Sequence, residues 1–154
     1  MSPYVRALRA RLGSALLLLP AVAAAVFDEQ GQLLLARHAD PPGLWALPGG
    51  SIEPGESPQQ ALVREAREEL GAVVEPLRLL GAWGGPEFEL TYRNGDRVAY
   101  VVLVYECRLG GPPQPDGAET LELGWKTLAE LAELELSPWG RTVLPEIFAG
   151  QRTA

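Results

Sequence analysis

The amino-acid sequence predicts an α/β fold, with helices laid on the faces of a β-sheet. Three observations carry that expectation. Pro58 to Leu70 has the start, the stop and the apolar period of a helix. Val98 to Tyr105 is apolar enough to be a central strand covered on both faces, and further strand-like runs alternate with turn signals on either side. Interleaved patterns of this kind pack as layers. The chain has 154 residues. That length buries about 70% of the unfolded surface, which is enough for one core without staples, and a single domain over 1–154 is expected.

Residues 4–12, YVRALRARL, set Val5, Leu8 and Leu12 on one side and Arg6, Arg9 and Arg11 around the other. This is an amphipathic helix ended by Gly13, an N-terminal extension over 1–13 whose apolar stripe needs cover from its own domain or from a second copy. Arginines followed by the apolar run Ala15 to Val26 also imitate a secretory leader with an Ala-x-Ala site. The strand reading accounts for the run better, because Val22 to Phe27, the turn Asp28 to Gly31 and Gln32 to Arg37 read as strand, turn, strand. The single histidine, His38, beside Asp40, receives no role. Residues 39–48 form a proline-rich loop leading into a short strand.

The central helix is delimited by its own residues. Ser57 can cap the first turn, Pro58 suits a position whose N–H would be orphaned anyway, and Gln60 stands where a capping box wants Glu or Gln. Leu62, Ala66 and Leu70 form the apolar stripe, and Gly71 is the left-handed C-cap. Glu65, Glu68 and Glu69, at i, i+3 and i+4, share one face. Glu-rich helix faces ordinarily point at water, with Arg64 and Glu68 paired at i, i+4. Here the preceding loop adds Glu53 and Glu56 through Gly49-Gly50 and Pro54-Gly55, bringing more carboxylate and a free backbone carbonyl towards the same face. Hard oxygen ligands in that number suit Mg²⁺ or Mn²⁺.

After the helix, Val73 to Trp83 reads as a strand, and Glu87 to Tyr92 and Val98 to Cys107 flank a hairpin turn centred on Asn94-Gly95. Gly110 to Gly117 is a loop by composition. Glu119 to Trp125 makes a last strand, Thr127 to Leu134 a short helix, and Ser137 or Pro138 to Phe148 the final helix.

Gly50, Glu56, Arg64, Glu65, Ala66, Glu68, Glu69, Gly71 and Ala72 stand at the spacing of the Nudix box, and all seven of its fixed positions are filled. At about 7% usage per residue, a chance match is on the order of 10⁻⁸ per start position. The chain therefore resembles the Nudix hydrolases, with small alanines at positions 66 and 72 where the family more often carries larger aliphatic residues. The resemblance implies an α/β/α sandwich around a mixed sheet, with the N-terminal helix as an addition. It implies a Mg²⁺- or Mn²⁺-dependent pyrophosphohydrolase that cleaves a phosphoanhydride in a nucleoside diphosphate linked to another group. By motif position, Glu65 and Glu69 are expected as metal ligands, Glu68 as a ligand or the base, and the Gly49 carbonyl as a further donor. Glu56 is a candidate ligand or, with Arg64, a group that orients a carboxylate. Glu119, at the end of the Gly- and Pro-rich loop, is the candidate distant base or ligand. Arg37 is placed where relatives reach the substrate phosphates, and Trp45, in the lead-in Leu44-Trp45-Ala46-Leu47-Pro48-Gly49-Gly50, is either core or a platform for a base.

A formal net charge of −7 speaks against a duplex nucleic-acid footprint, though phosphates can still bind through bridging cations. The lone Cys107 allows no internal disulfide and reads as a small core residue, for which a reducing cytoplasm is the simplest setting. The apolar run before Phe27 is too short, and too interrupted by Pro20, to span a bilayer as a helix, so no membrane partner is expected. A non-catalytic nucleotide sensor on the same fold is the alternative, and it predicts a decayed box. An isomerase acting on an isoprenoid diphosphate would want a reactive cysteine near the site. The loops Gly84 to Arg97 and Gly110 to Glu119, which would select the nucleotide, match no specificity pattern.

Overall fold

A computed structural model describes residues 2–152; Met1, Thr153 and Ala154, at the ends of the expected domain, lie outside the described residues. The chain runs α1 (Pro3–Leu12), β1 (Leu17–Ala25), β2 (Leu33–His38), β3 (Trp45–Ala46), β4 (Gly49–Ser51), α2 (Pro58–Leu70), β5 (Val74–Trp83), β6 (Glu89–Thr91), β7 (Arg97–Leu109), β8 (Thr120–Lys126) and α3 (Pro138–Arg152). Short 3₁₀ turns at Pro86–Phe88 and Ala129–Glu133 precede β6 and α3. The expected mixed sheet is five-stranded, in the order β4-β1-β7-β5 with β6 also paired to β7, and a three-stranded antiparallel sheet β3-β2-β8 stands beside it.

Alternation along β1 divides the core. Ala21, Ala23 and Ala25 face Val143, Leu144, Ile147 and Phe148 of α3. Val22 and Ala24 face Ala61, Leu62, Ala66 and Leu70 of α2. The two helices thus cover opposite faces, as the sandwich requires. Cys107 is buried under α2, where burial pushes its thiol up to about 12.

Two expectations about β1 need correction. It begins at Leu17, five residues before Val22, and it pairs in parallel with β7 from Leu17↔Val98 to Ala25↔Glu106. Nor does it form a hairpin with β2: the two meet only at the bridge Phe27↔Leu33, and the chain then crosses to the other sheet. Parallel pairing to a strand eighty residues away has no local sequence signal, whereas the turn Asp28 to Gly31 does. Pro20 fits within β1 because its carbonyl accepts from the Ile52 N–H just past the end of β4, whose ladder covers only Ala21 to Ala23. Its missing N–H therefore removes no rung there.

Smaller differences follow the same logic. The arm expected from Glu87 starts as a 3₁₀ turn that buries Phe88, and α3 continues to Arg152 through Pro145. At the N-terminus, Ser2 caps α1 by accepting from the Val5 N–H, while Val5 and Leu8 pack on Leu17, Leu19 and Val98. The helix stripe is thus covered in part by its own chain, and Tyr4 and Leu12 stay exposed. Val98 to Tyr105 is central as expected, but Val101 is 41% exposed, on the same face as Leu103 and Tyr105 but beyond the cover of α2.

Candidate active site

The site is built where β4 meets α2. Ser57 accepts from the Gln60 N–H while the Gln60 side chain accepts from the Ser57 N–H, so the capping box fixes where the helix starts. Gly71, in the left-handed conformation, ends it. From that register Glu65 and Glu69 fall directly over Gly49 and Gly50. The Gly49 N–H donates to Glu69 Oε2 at 3.0 Å. A Cβ on Gly50 would stand 2.5 Å from the Glu65 carboxyl carbon, and one on Gly49 would stand 2.0 Å from the Val22 carbonyl oxygen. Neither position tolerates a side chain: the first glycine lets β4 close on β1, and the second makes room for a carboxylate.

Arg64 organises the remaining acids. Its Nε and Nη2 make a two-pronged bond to Glu56 at 2.7 and 2.9 Å, and Nη2 also donates to the Ser51 carbonyl at 3.0 Å. Nη1 lies 2.9 Å from Glu65 Oε1 and 3.5 Å from Glu68 Oε2. This contact holds the Glu56 carboxyl well below the usual carboxylate range. Glu65 goes the other way, raised by burial against the opposing pull of Arg64. Glu69, 4% exposed, is pushed up to about 8, chiefly by burial and further by the charges of Glu65, Glu119 and Asp116.

The charge of Glu119 thus reaches the box carboxylates, although it lies fifty or more residues further along the chain. The loop that carries it is moored to α2 by the Gln114 N–H donating to the Leu70 carbonyl at 2.7 Å. The loop is shaped by Asp116, whose Oδ1 accepts from the backbone N–H groups of Ala118, Glu119 and Thr120. Nothing in the sequence reading singled out Asp116; an Asp one residue before a glycine in a loop is the signal of such a turn.

Beside Gly49 and Gly50 opens a cleft with about 150 Å³ of space accessible to water, lined by His38, Asp40, Phe88, Tyr92, Tyr100 and Trp139 among others. Phe88 and Trp139 stack, with ring centroids 5.6 Å apart. Sequence reasoning named none of these aromatics, because they come from the hairpin and α3, and it gave His38 no role. Arg37 and Trp45 are not brought to the cleft. Arg37 pairs with Glu122 across the β2–β8 ladder at 2.9 Å. Trp45 is 8% exposed in the core, with the Lys126 ammonium 4.6 Å from its ring centroid, so its faces are covered.

The donor set fits a hard divalent cation. The buried carboxylate of Glu69 and the half-buried one of Glu65, with Glu68, Glu119 and backbone carbonyls nearby, offer oxygens only, and their mutual repulsion has Arg64 as its one neighbouring counter-charge in these contacts. Among the described residues no three acidic, imidazole or thiol groups stand as a closed cage. The Arg64 Nη1 stands between Glu65 and Glu68, within 2.9 and 3.5 Å of their oxygens.

Comparison with known proteins agrees with this geometry. The family profile of the NUDIX domain matches residues 17–147. A MutT-like protein of Streptomyces ambofaciens is 37% identical over 112 residues, covering 73% of this chain and 66% of its own length, so the chain spans just under two thirds of that relative. The CTP pyrophosphohydrolase of Escherichia coli K12 is 36% identical over 118 residues, covering 66% of this chain and 87% of its own. Among solved structures, the MutT protein of Methanosarcina mazei Go1 superposes with a TM-score of 0.72 at 25% identity, over 89% of this chain and 96% of its own. With a matching fold, an intact box and a family match over most of its length, the chain belongs to the Nudix hydrolase family.

Proposed function

We propose that the protein is a divalent-metal-dependent pyrophosphohydrolase acting on nucleoside triphosphates, releasing a nucleoside monophosphate and pyrophosphate. The observation that carries this reading is the placement of Glu65 and Glu69 over Gly49-Gly50 at the mouth of an aromatic cleft. On this reading the nucleoside enters the cleft and its phosphates lie over the carboxylates. The choice of triphosphate rests on the activity for which the Escherichia coli CTP pyrophosphohydrolase is named.

Glu65, Glu69 and Glu68, with the Gly49 carbonyl and Glu119, would hold Mg²⁺ or Mn²⁺, which supplies charge neutralisation of the phosphates and an acidified water. Glu56 stays bound to Arg64 and keeps that guanidinium aligned on Glu65. In the reaction, a water oxygen bonds to phosphorus and the anhydride P–O bond breaks, its electron pair leaving with pyrophosphate. The proton released from water passes to a carboxylate, for which Glu68, 59% exposed, and Glu119 are the candidates. Negative charge on the chain is then a device for collecting cations, and duplex nucleic acid is not a substrate.

Two further parts of the reading concern setting and assembly. A buried free thiol fits a reducing cytoplasm; no helix among the described residues is long and apolar enough to cross a membrane. A homodimer is supported by apolar surface on one sheet face, where Leu18 is 71% exposed and Val101 41%. A monomer mass by light scattering at micromolar concentration would remove the dimer alone.

Phosphate release and product chromatography from ATP, GTP, CTP and UTP test the activity, with ADP-ribose and a dinucleoside polyphosphate as comparison substrates. Activity is expected with Mg²⁺ or Mn²⁺, lost in excess chelator and restored by the metal. Full activity in chelator sinks the metal reading, and preference for ADP-ribose sinks the triphosphate one.

A further inference from the structure

The N-terminal helix lies outside the stretch matched by the family profile, which begins at residue 17, yet it is tied to the turn that follows Tyr92, a residue of the cleft wall. Arg9, its side chain only 9% exposed, donates from Nη1 to the carbonyls of Gly13 and Ala15 at 3.1 and 2.6 Å. From Nη2 it donates to the Arg97 carbonyl at 2.8 Å, and its Nε lies 3.5 Å from Asp96 Oδ2. Asp96 and Arg97 belong to the turn that begins at Tyr92, because the Tyr92 N–H donates to the Asp96 carbonyl and the Gly95 N–H to the Tyr92 carbonyl. On the same helix Val5 and Leu8 pack on Leu17, Leu19 and Val98, the buried residues on which Tyr92 and Tyr100 also pack. Those two tyrosines line the cleft, and their hydroxyls are 2.8 Å apart.

We infer that α1, with Arg9 as a positioning residue, holds the Tyr92–Tyr100 hydroxyl pair in the place where it reads the nucleoside end of the substrate. The inference rests on the proposal that the cleft takes a nucleotide. Of the two hydroxyl hydrogens one is spent between the tyrosines, so the pair offers a ligand one donor and several lone pairs. This is a neutral, two-way contact in a mostly apolar cleft, suited to the polar edge of a base or to a sugar hydroxyl. Phosphate is the wrong occupant there. Asp40 lines the same cleft, and its charge and that of Glu119 act on Tyr92. The phosphates are directed instead to the carboxylate side, where a cation joins them, and the substrate acquires one orientation.

Arg9→Lys keeps the charge beside Asp96 but cannot bridge three carbonyls with one planar fork. Tyr92→Phe keeps the ring and removes the hydroxyl. The full chain and both variants are compared in Mg²⁺-dependent hydrolysis of ATP, GTP, CTP and UTP and in calorimetric binding of AMP, GMP, CMP and UMP. For the best nucleotide, KM and the monophosphate Kd should rise about 3- to 10-fold in either variant, the loss of roughly one hydrogen bond, with kcat held within about twofold. The double variant should be no worse than the worse single, because both act through one pair. A lowered Tm with unchanged KM and Kd in Arg9→Lys overturns the inference, making α1 a support only. So does a response confined to Tyr92→Phe. Should Arg9→Lys not fold, Val5→Ala, which thins the packing of α1 on the cluster that also supports the tyrosines, carries the same expectation. Wild-type protein that binds a monophosphate but hydrolyses nothing removes the proposed activity and leaves this inference to the Kd shift; wild-type protein that binds none of the four overturns it.

Discussion

Two helices in this molecule each carry an arginine wedged against a neighbouring segment, and the partners of the two guanidinium groups differ in kind. Arg64 of α2 meets the carboxylates of Glu56, Glu65 and Glu68 and a single carbonyl, and its side chain is 30% exposed. Arg9 of α1 meets three backbone carbonyls and Asp96, at 9% exposure. A carboxylate can exchange an arginine for a metal ion with little rearrangement, since both are cations. A carbonyl from a turn has no such alternative without moving the chain. The α2 arrangement is therefore an exchangeable counter-charge at the candidate active site, and the α1 arrangement is a fixed clamp.

The largest effect that sharpens this contrast falls on α2. Glu69→Gln should lower turnover by two or more orders of magnitude, about the loss from removing one key electrostatic stabiliser, while the metal-free Tm stays level or rises because a buried, repelled carboxylate is gone. Near-normal turnover in this variant would reduce the α2 face to a solvated charge cluster. Next comes packing. Leu62 is 1% exposed, so Leu62→Ala should cost about 2 to 5 kcal/mol by denaturant unfolding. Leu8 of α1 is only partly buried, and Leu8→Ala should cost less than half as much. Equal losses would break the distinction between a core helix and a clamped one.

A pH series provides the third comparison. The Glu69 carboxyl is raised to about 8 in the folded protein from its ordinary 4.5, so between those values the folded state holds a proton that the unfolded chain has released. Stability of the metal-free protein should then fall as pH rises through that window and level off above about 8. Melting curves of wild type and Glu69→Gln isolate the contribution as a difference in slope, and Mg²⁺ at pH 8 should restore what wild type has lost. Parallel slopes would place the ionised group in water. The smallest effect belongs to Arg37→Ala, which removes an ion pair whose partners are 34% and 54% exposed; unfolding should move by less than about 1 kcal/mol.

The candidate site was legible in the sequence because its determinants are contiguous. Cap, stripe, carboxylate spacing and C-cap of α2 all lie between Gly49 and Ala72 and act over one to four residues, and each is found where the periodicity put it. The long-range features were not. The parallel register of β1 on β7 joins residues about eighty apart, and a convincing turn at Asp28 to Gly31 suggested the wrong partner. Tyr92 and Tyr100 meet because a hairpin folds them together under α1, a coincidence of three segments. Trp45 shows a different limit, since a tryptophan beside a phosphate motif has the same letter whether its ring is stacked on a base or, as here, covered by Lys126 in the core. Glu119 was reachable from its loop composition, while Asp116, which shapes that loop through three N–H groups, was passed over.

Cys107 gives the molecule a stopwatch. Its thiol is the chain's sole one, 4% exposed beneath α2 and raised to about 12, so in the closed fold it is both shielded and protonated and an alkylating reagent finds no thiolate to attack. Modification has to wait for α2 to lift from the sheet, and the rate at which the thiol is consumed then reads the frequency of that opening rather than the chemistry of sulfur. Since the same helix carries the carboxylates, whatever cation they gather also sets the pace of the clock.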